Sequence, residues 1–120
     1  MATRLKGFVE KGWGYEKIFE TNDKYCGKIL KFNKDARFSM HFHAVKDETW
    51  YVQSGQFTVR WIDTKDASIH EKQLLPGDVW RNPPLLPHQL ICIEAGEVWE
   101  VSTADSVEDN YRVMPGDSQK

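Results

Sequence analysis

The sequence is poor in several features that would commit it to a particular class. Cysteine is scarce: Cys26 and Cys92 are the only two in 120 residues. They are isolated and form no C-x-x-C pair, so they read as buried thiols and not as a cysteine metal knuckle. Long apolar runs are missing. The longest plain one is Leu90-Ile91-Cys92-Ile93, far short of the ~20 residues a membrane helix needs. The stretch Met1 to Gly14 is broken by Arg4, Lys6, Glu10 and Lys11, which leaves no apolar core for a signal peptide. A cytoplasmic location is therefore the default expectation. Charge of one sign is also missing: 16 Lys and Arg face 18 Asp and Glu, for a net charge of −2. That balance gives no reason to expect nucleic acid or an anionic membrane as a partner. No repeat, low-complexity tract or linker divides the chain, so residues 1–120 are expected to form a single domain, which can bury one core without disulfides.

Aromatic residues are plentiful, with five Trp, four Tyr and six Phe, and such rings favour strands. Turn signals recur at short intervals: Asn22-Asp23, Asn33-Lys34-Asp35, Ser54-Gly55, Asp63 to Asp66, Pro76-Gly77-Asp78, Pro83-Pro84 and Ala95-Gly96. The segments between them run about five to eight residues, which is strand length. In Gln56 to Trp61 the apolar Phe57, Val59 and Trp61 alternate with polar residues, so they share one face. Further strands are expected over 15–20, 25–32, 37–43, 49–53, 68–75, 88–93 and 97–102. No segment keeps a 3.6-residue period for ten residues. The chain reads as all-β, a sandwich or barrel, with a polar tail from about Val107 whose last residues are expected to be disordered.

The chemistry is concentrated in His41-Phe42-His43-Ala44-Val45-Lys46-Asp47-Glu48. Residues two apart on a strand point the same way, so His41 and His43 share a face. Ala44 to Asp47 can form a hairpin loop with Lys46-Asp47 as its polar tip, returning Glu48 to the same spot. Two imidazoles and a carboxylate make a facial ligand set for a divalent first-row metal. His88, opening the strand after Pro87, supplies a fourth ligand. Zn, Mn, Fe and Ni all accept such donors. The fourth histidine of the chain, His70, reads as solvated.

Two spacings carry a resemblance. His41-x-His43-x4-Glu48-x6-Gly55, within about 41–55, resembles the first cupin motif, and Gly77-x5-Pro83-x4-His88, within about 77–92, resembles the second. The resemblance implies a cupin double-stranded β-helix, or jelly-roll barrel, with one divalent metal on His41, His43, Glu48 and His88. Three positions depart from the motifs: Asp35 and Leu85 stand where the family has Gly, and Cys92 where it has Asn. None is a ligand, so the departures concern loop shape. Gly12-Trp13-Gly14-Tyr15-Glu16, Glu100 to Thr103 and Glu108-Asp109-x-Tyr111-Arg112 are similar to segments of sugar-isomerase cupins, the phosphomannose and lyxose isomerase types.

Strand parity adds a candidate base. On Glu97 to Ser102, burying Trp99 and Val101 between two sheets would turn Glu100 toward the metal cavity. A partly desolvated carboxylate there suits proton transfer near neutral pH. Asp109 is the next carboxylate to consider. With a metal to hold sugar oxygens and polarise a carbonyl, this arrangement points to an aldose–ketose isomerase acting on a sugar or sugar phosphate. An Fe(II)-dependent dioxygenase and a non-catalytic sugar-binding cupin are the alternatives. Lys46, Arg112 and, least, the outward Arg60 are candidates for holding a phosphate or hydroxyl group. By parity Met40, Phe42, Tyr51, Ile91 and Ile93 face away from the ligands, and such an apolar strip predicts a homodimer.

Overall fold

The computed structural model describes residues 1–120. Its strands are β1 (Gly7–Lys11), β2 (Gly14–Thr21), β3 (Tyr25–Phe32), β4 (Met40–Phe42), β5 (Glu48–Val52), β6 (Gln56–Asp63), β7 (Ser68–Leu74), β8 (Val79–Asn82), β9 (His88–Glu94), β10 (Gly96–Thr103) and β11 (Tyr111–Met114). The only helical element is a 3-10 turn at Asp117–Gln119. No helix is long and apolar enough to cross a membrane. Two antiparallel sheets face each other, one ordered β1-β2-β3-β10-β5-β8 and the other β11-β4-β9-β6-β7. This is the expected jelly roll.

The interior follows from strand alternation, because every second side chain points between the sheets. A cluster of 13 buried apolar residues includes Leu30 and Phe32 of β3, Trp50 and Val52 of β5, Phe57 and Val59 of β6, Leu90 and Cys92 of β9, and Val98 of β10. Followed along the same strands, the inward row turns polar at one level. Leu30 gives way to Lys28, Trp50 to Glu48, Leu90 to His88, and Val98 to Glu100, all buried. Register locks these changes together: Glu100 lies opposite both Lys28 and Trp50, and Ser102 lies opposite Glu48. One end of the sandwich is an apolar core and the other a polar cavity.

Four motif positions share one backbone signature. Gly55 and Gly77 have φ of 84° and 93°, while Asp35 and Leu85, which replace family glycines, have φ of 67° and 73°. The left-handed turn persists at these sites without glycine, at a steric cost to the side chains that occupy it. At Gly55 a Cβ would also meet Glu94 O at 2.6 Å.

Several expectations need correction. β4 and β5 do not form a hairpin: β4 pairs with β11 and β9, whereas β5 pairs with β10 and β8. The Ala44–Asp47 connection crosses from one sheet to the other, so His41 and His43 come from one sheet and Glu48 from the opposite one. Lys46 is not a solvated loop tip but is buried, because it finds carboxylates inside. Trp99 and Val101 are 42% and 61% exposed, since no third layer covers the outer face of the six-stranded sheet, although the inward direction of Glu100 holds. Met40 is fully buried, opposite Met114 of β11, and so drops out of the expected apolar strip, while Tyr51 lies on the other sheet from Phe42, Ile91 and Ile93. The tail is docked: Asp117 accepts from the Arg37 N–H at 2.8 Å, and Ser118 Oγ accepts from the Gly12 N–H at 3.0 Å.

Candidate metal centre and cavity

Two strands deliver the imidazoles. His41 sits on β4, His43 just past its end, and His88 at the start of β9, with His41 and His88 in direct register. One ring nitrogen from each lies within 4.8 Å of the others. The remaining nitrogens are all held by backbone carbonyls. His41 Nδ1 donates to Ser39 O at 2.8 Å, His43 Nδ1 to Asp109 O at 2.6 Å, and His88 Nδ1 to Leu86 O at 2.8 Å. A carbonyl accepts only from N–H, so each ring carries a hydrogen on Nδ1 and turns Nε2 toward the cluster. Carbonyl partners of this kind orient metal-ligating histidines. The Leu85 N–H, donating to His43 O at 2.7 Å, ties the loop before His88 to the strand end that carries His43.

Glu48 completes the cluster from the opposite sheet. Its Oε1 lies 3.2 Å from His43 Nε2 and 3.4 Å from His88 Nε2. Glu48 Oε1 and His88 Nε2 nevertheless lack hydrogen-bond partners, though both are buried. Buried polar atoms without partners are rare and call for an explanation. A divalent ion bound by the three Nε2 atoms and this carboxylate would satisfy them together, so the residues present fit a metal. Burial first, and then the His88 and His43 rings, push His41 down to about 3, which keeps it neutral. Burial works against ionisation of Glu48, but the two histidines outweigh it and hold the carboxyl well below its usual range.

Beside this cluster lies a cavity of about 250 Å³ with a mostly polar lining. Glu100 stands in its wall, 7% exposed at the side chain, and accepts from Lys46 Nζ at 3.2 Å and from Trp50 Nε1 at 3.1 Å. Burial, then the charge of Glu48, pushes its carboxyl up to about 7. Trp13, stacked on Phe32 at 4.5 Å, and Arg112 also face the cavity, and Ser118 and Gln119 of the docked tail form part of its rim.

Other sequence candidates lie elsewhere. Asp109 is absent from the lining: its carboxylate accepts from the N–H groups of Ala44 at 2.7 Å, Val45 at 3.2 Å and Lys46 at 3.0 Å, capping the crossover. Arg60 is engaged with Gln89 and Glu71 outside the cavity. His70 is exposed and stacked on Trp61. Sequence reasoning missed Lys28, whose inward position follows from its alternation with Cys26 and Leu30. It also missed Trp50 as a hydrogen-bond donor and Asp105, for which no sequence pattern gives a signal.

A two-sheet jelly roll with imidazoles converging at one end defines the class. The sequence matches the family profile described as Cupin over residues 26–116. The chain belongs to the cupin family. Solved structures agree in fold. KdgF from Halomonas sp. superimposes with a TM-score of 0.72 at 20% identity, covering 90% of this chain and 98% of that one. Oxalate decarboxylase from Bacillus subtilis gives 0.74 at 20% identity, covering 94% of this chain and 33% of that one. CapF, a capsular polysaccharide assembling protein from Staphylococcus aureus, gives 0.77 at 16%, covering 94% and 35%. This chain thus spans about a third of the latter two. The Bacillus subtilis oxalate decarboxylase has Mn(II) centers. Comparison with curated proteins found no match.

Proposed function

We propose that this cupin is a metal-dependent aldose–ketose isomerase acting on a sugar or a sugar derivative. One observation carries the reading: Trp50 Nε1 donates to Glu48 Oε2 at 2.9 Å and to Glu100 Oε1 at 3.1 Å, which sets a second carboxylate beside the candidate metal centre. His41, His43, Glu48 and His88 would hold one divalent ion, and the Mn(II) centers of a protein of the same fold support this. When bound, the ion supplies Lewis-acid polarisation of the sugar carbonyl. Glu100 takes the proton from one carbon beside the carbonyl and returns it to the other. A base near pKa 7 is well matched to that task. Lys46 and Trp50 fix the direction of the Glu100 carboxylate, and the polar lining suits a polyhydroxylated ligand.

Asp109 is given no part in proton transfer, because its oxygens are taken up by backbone N–H groups. The homodimer expected from the sequence would use the row Val79, Tyr51 and Trp99 across β8, β5 and β10, which is exposed and in register. Light scattering at micromolar concentration tests it, with a monomer mass counting against it.

The test of the reading uses protein loaded in turn with Zn, Mn, Fe(II) or Ni and offered a panel of aldoses and ketoses in D2O. Deuterium should enter at the carbon beside the carbonyl. Glu100→Gln should keep its metal and lose roughly 10²–10⁴-fold in turnover. Consumption of O2 would instead identify a dioxygenase. Sugar binding without exchange would identify a binding protein.

A further inference from the structure

Two ammonium groups are buried in the polar end of the barrel. Lys28 projects inward from β3 and Lys46 from the sheet-crossing connection, with side chains 10% and 5% exposed. A buried ammonium needs a partner to offset its lost hydration. Both converge on one carboxylate: Lys28 Nζ lies 3.0 Å from Asp105 Oδ2, and Lys46 Nζ lies 3.2 Å from Asp105 Oδ1. Lys28 also lies 3.8 Å from Glu16 Oε1, and Lys46 3.2 Å from Glu100 Oε2.

The three groups differ in how they are held. The lysines come from β3 and from a crossover capped by Asp109, and they form the floor. Asp105 belongs to the segment between β10 and β11, which has no regular structure, and its side chain is 29% exposed. The carboxylate therefore enters from the solvent side and places one oxygen on each ammonium. All three residues line the cavity that holds the candidate metal centre and Glu100. If Asp105 withdraws, Lys28 keeps only the more distant Glu16 and Lys46 keeps Glu100, and both ammoniums lose the one carboxylate they share. A single incoming carboxylate restores that shared contact, with one oxygen for each ammonium. A phosphate would bring a further negative charge against Glu16 and Glu100, which a carboxylate does not.

We propose that Lys28 and Lys46 form a subsite for the carboxylate of an acidic substrate, a sugar acid, and that Asp105 is the internal stand-in that this carboxylate displaces. The proposal rests on the reading above only in taking this cavity as the substrate cavity. Because Asp105 competes for the subsite, removing its charge raises the fraction of protein ready to bind.

The experiment is calorimetric titration of wild type, Asp105→Asn and Lys28→Met with glucuronate, glucose and glucose 6-phosphate, with and without metal. Circular dichroism confirms folding, and Lys46→Met serves if Lys28→Met does not fold. Wild type should prefer glucuronate to the other two. Asp105→Asn should bind glucuronate about tenfold more tightly with glucose unchanged. The lysine variant should lose the preference. Equal affinity for all three ligands, tighter binding of the phosphate, or weaker glucuronate binding by Asp105→Asn overturns the subsite. A preference for glucuronate in metal-free protein upholds it even if isomerisation fails. Isomerisation of glucose with indifference to glucuronate overturns it and leaves the isomerase reading standing.

Discussion

Glu48 and Glu100, on adjacent strands β5 and β10, accept hydrogen bonds from a single donor, the indole N–H of Trp50. Neither carboxylate has much water around it, so the shared donor supports both. Trp50→Phe keeps most of the ring volume but removes that donor. Leaving buried acceptors unpaired costs about 1–3 kcal/mol each, so with two acceptors the variant should be less stable by roughly 2–6 kcal/mol. Urea denaturation measures the loss, and a change under about 1 kcal/mol would show that the indole N–H is energetically idle.

Metal binding should depend on the cluster and not on histidine count. The double variant His43→Ala/His88→Ala should lose stoichiometric metal after dialysis, while His70→Ala, altering an exposed ring on β7, should keep it. Elemental analysis reads the outcome. The double variant should stay folded, because the 13-residue apolar cluster contains none of the ligands. Full metal content in it would remove the assignment.

Asp109 should behave as a positioning residue. Its carboxylate gathers three successive N–H groups of the crossover, and its own carbonyl receives His43 Nδ1. Asp109→Ala should loosen the seat of His43 and weaken metal affinity about 10–100-fold, the usual cost of losing such support. Asp109→Asn should recover part of it. At saturating metal, turnover should return toward wild type. A defect that excess metal does not repair would place Asp109 in the chemistry instead.

These residues also show which features were legible in the sequence. His41 and His43 could be read as a pair because two-residue spacing on a strand becomes a shared face whatever the strand pairs with, whereas Glu48 and His88 were legible through the motif spacing and not through the hairpin expected between β4 and β5. Glu100 followed from alternation with Val98 and Ser102, even though the burial assigned to Trp99 and Val101 was reversed. The sheet membership of β4 and β5 was not legible, since local pattern reveals a strand but not its neighbour. Lys46 looked solvated because its partners, Glu100 and Asp105, are distant in sequence. The short strands β1, β8 and β11 carry too few inward apolar residues to stand out, and β8 and β11 have four residues each.

Leu85 is a bulky, 59% exposed residue with φ of 73°, in a position where the family has glycine. A left-handed conformation costs a side-chain-bearing residue roughly 1–2 kcal/mol, and glycine's extra freedom in the unfolded chain takes back part of that. Leu85→Gly should therefore stabilise the protein by up to about 1 kcal/mol, read as a higher urea midpoint with an unchanged slope. Leu85→Val, β-branched in the same conformation, should move the other way. A loss of stability in the glycine variant would mean that the Leu85 side chain makes packing contacts worth more than the strain.

The docked tail should respond to acid through Asp117. Burial raises its carboxyl pKa, but the Arg37 N–H and the Lys120 ammonium outweigh that and leave it lowered. A carboxyl with a folded-state pKa below its unfolded value stabilises the fold above the unfolded pKa. That contribution is lost as pH falls through the folded value. The stability gap between wild type and Asp117→Asn should thus be widest near neutral pH and close below about pH 4. Trp13 reports the event locally, because Gly12 is tied to Ser118 Oγ and a Cβ on Gly12 would meet Asp117 O at 2.3 Å. Wild-type tryptophan fluorescence should shift as the tail releases in acid, whereas Asp117→Asn should show the released signal already at pH 7. A gap that stays constant from pH 7 to pH 3 would mean that the Asp117 contacts do not hold the tail.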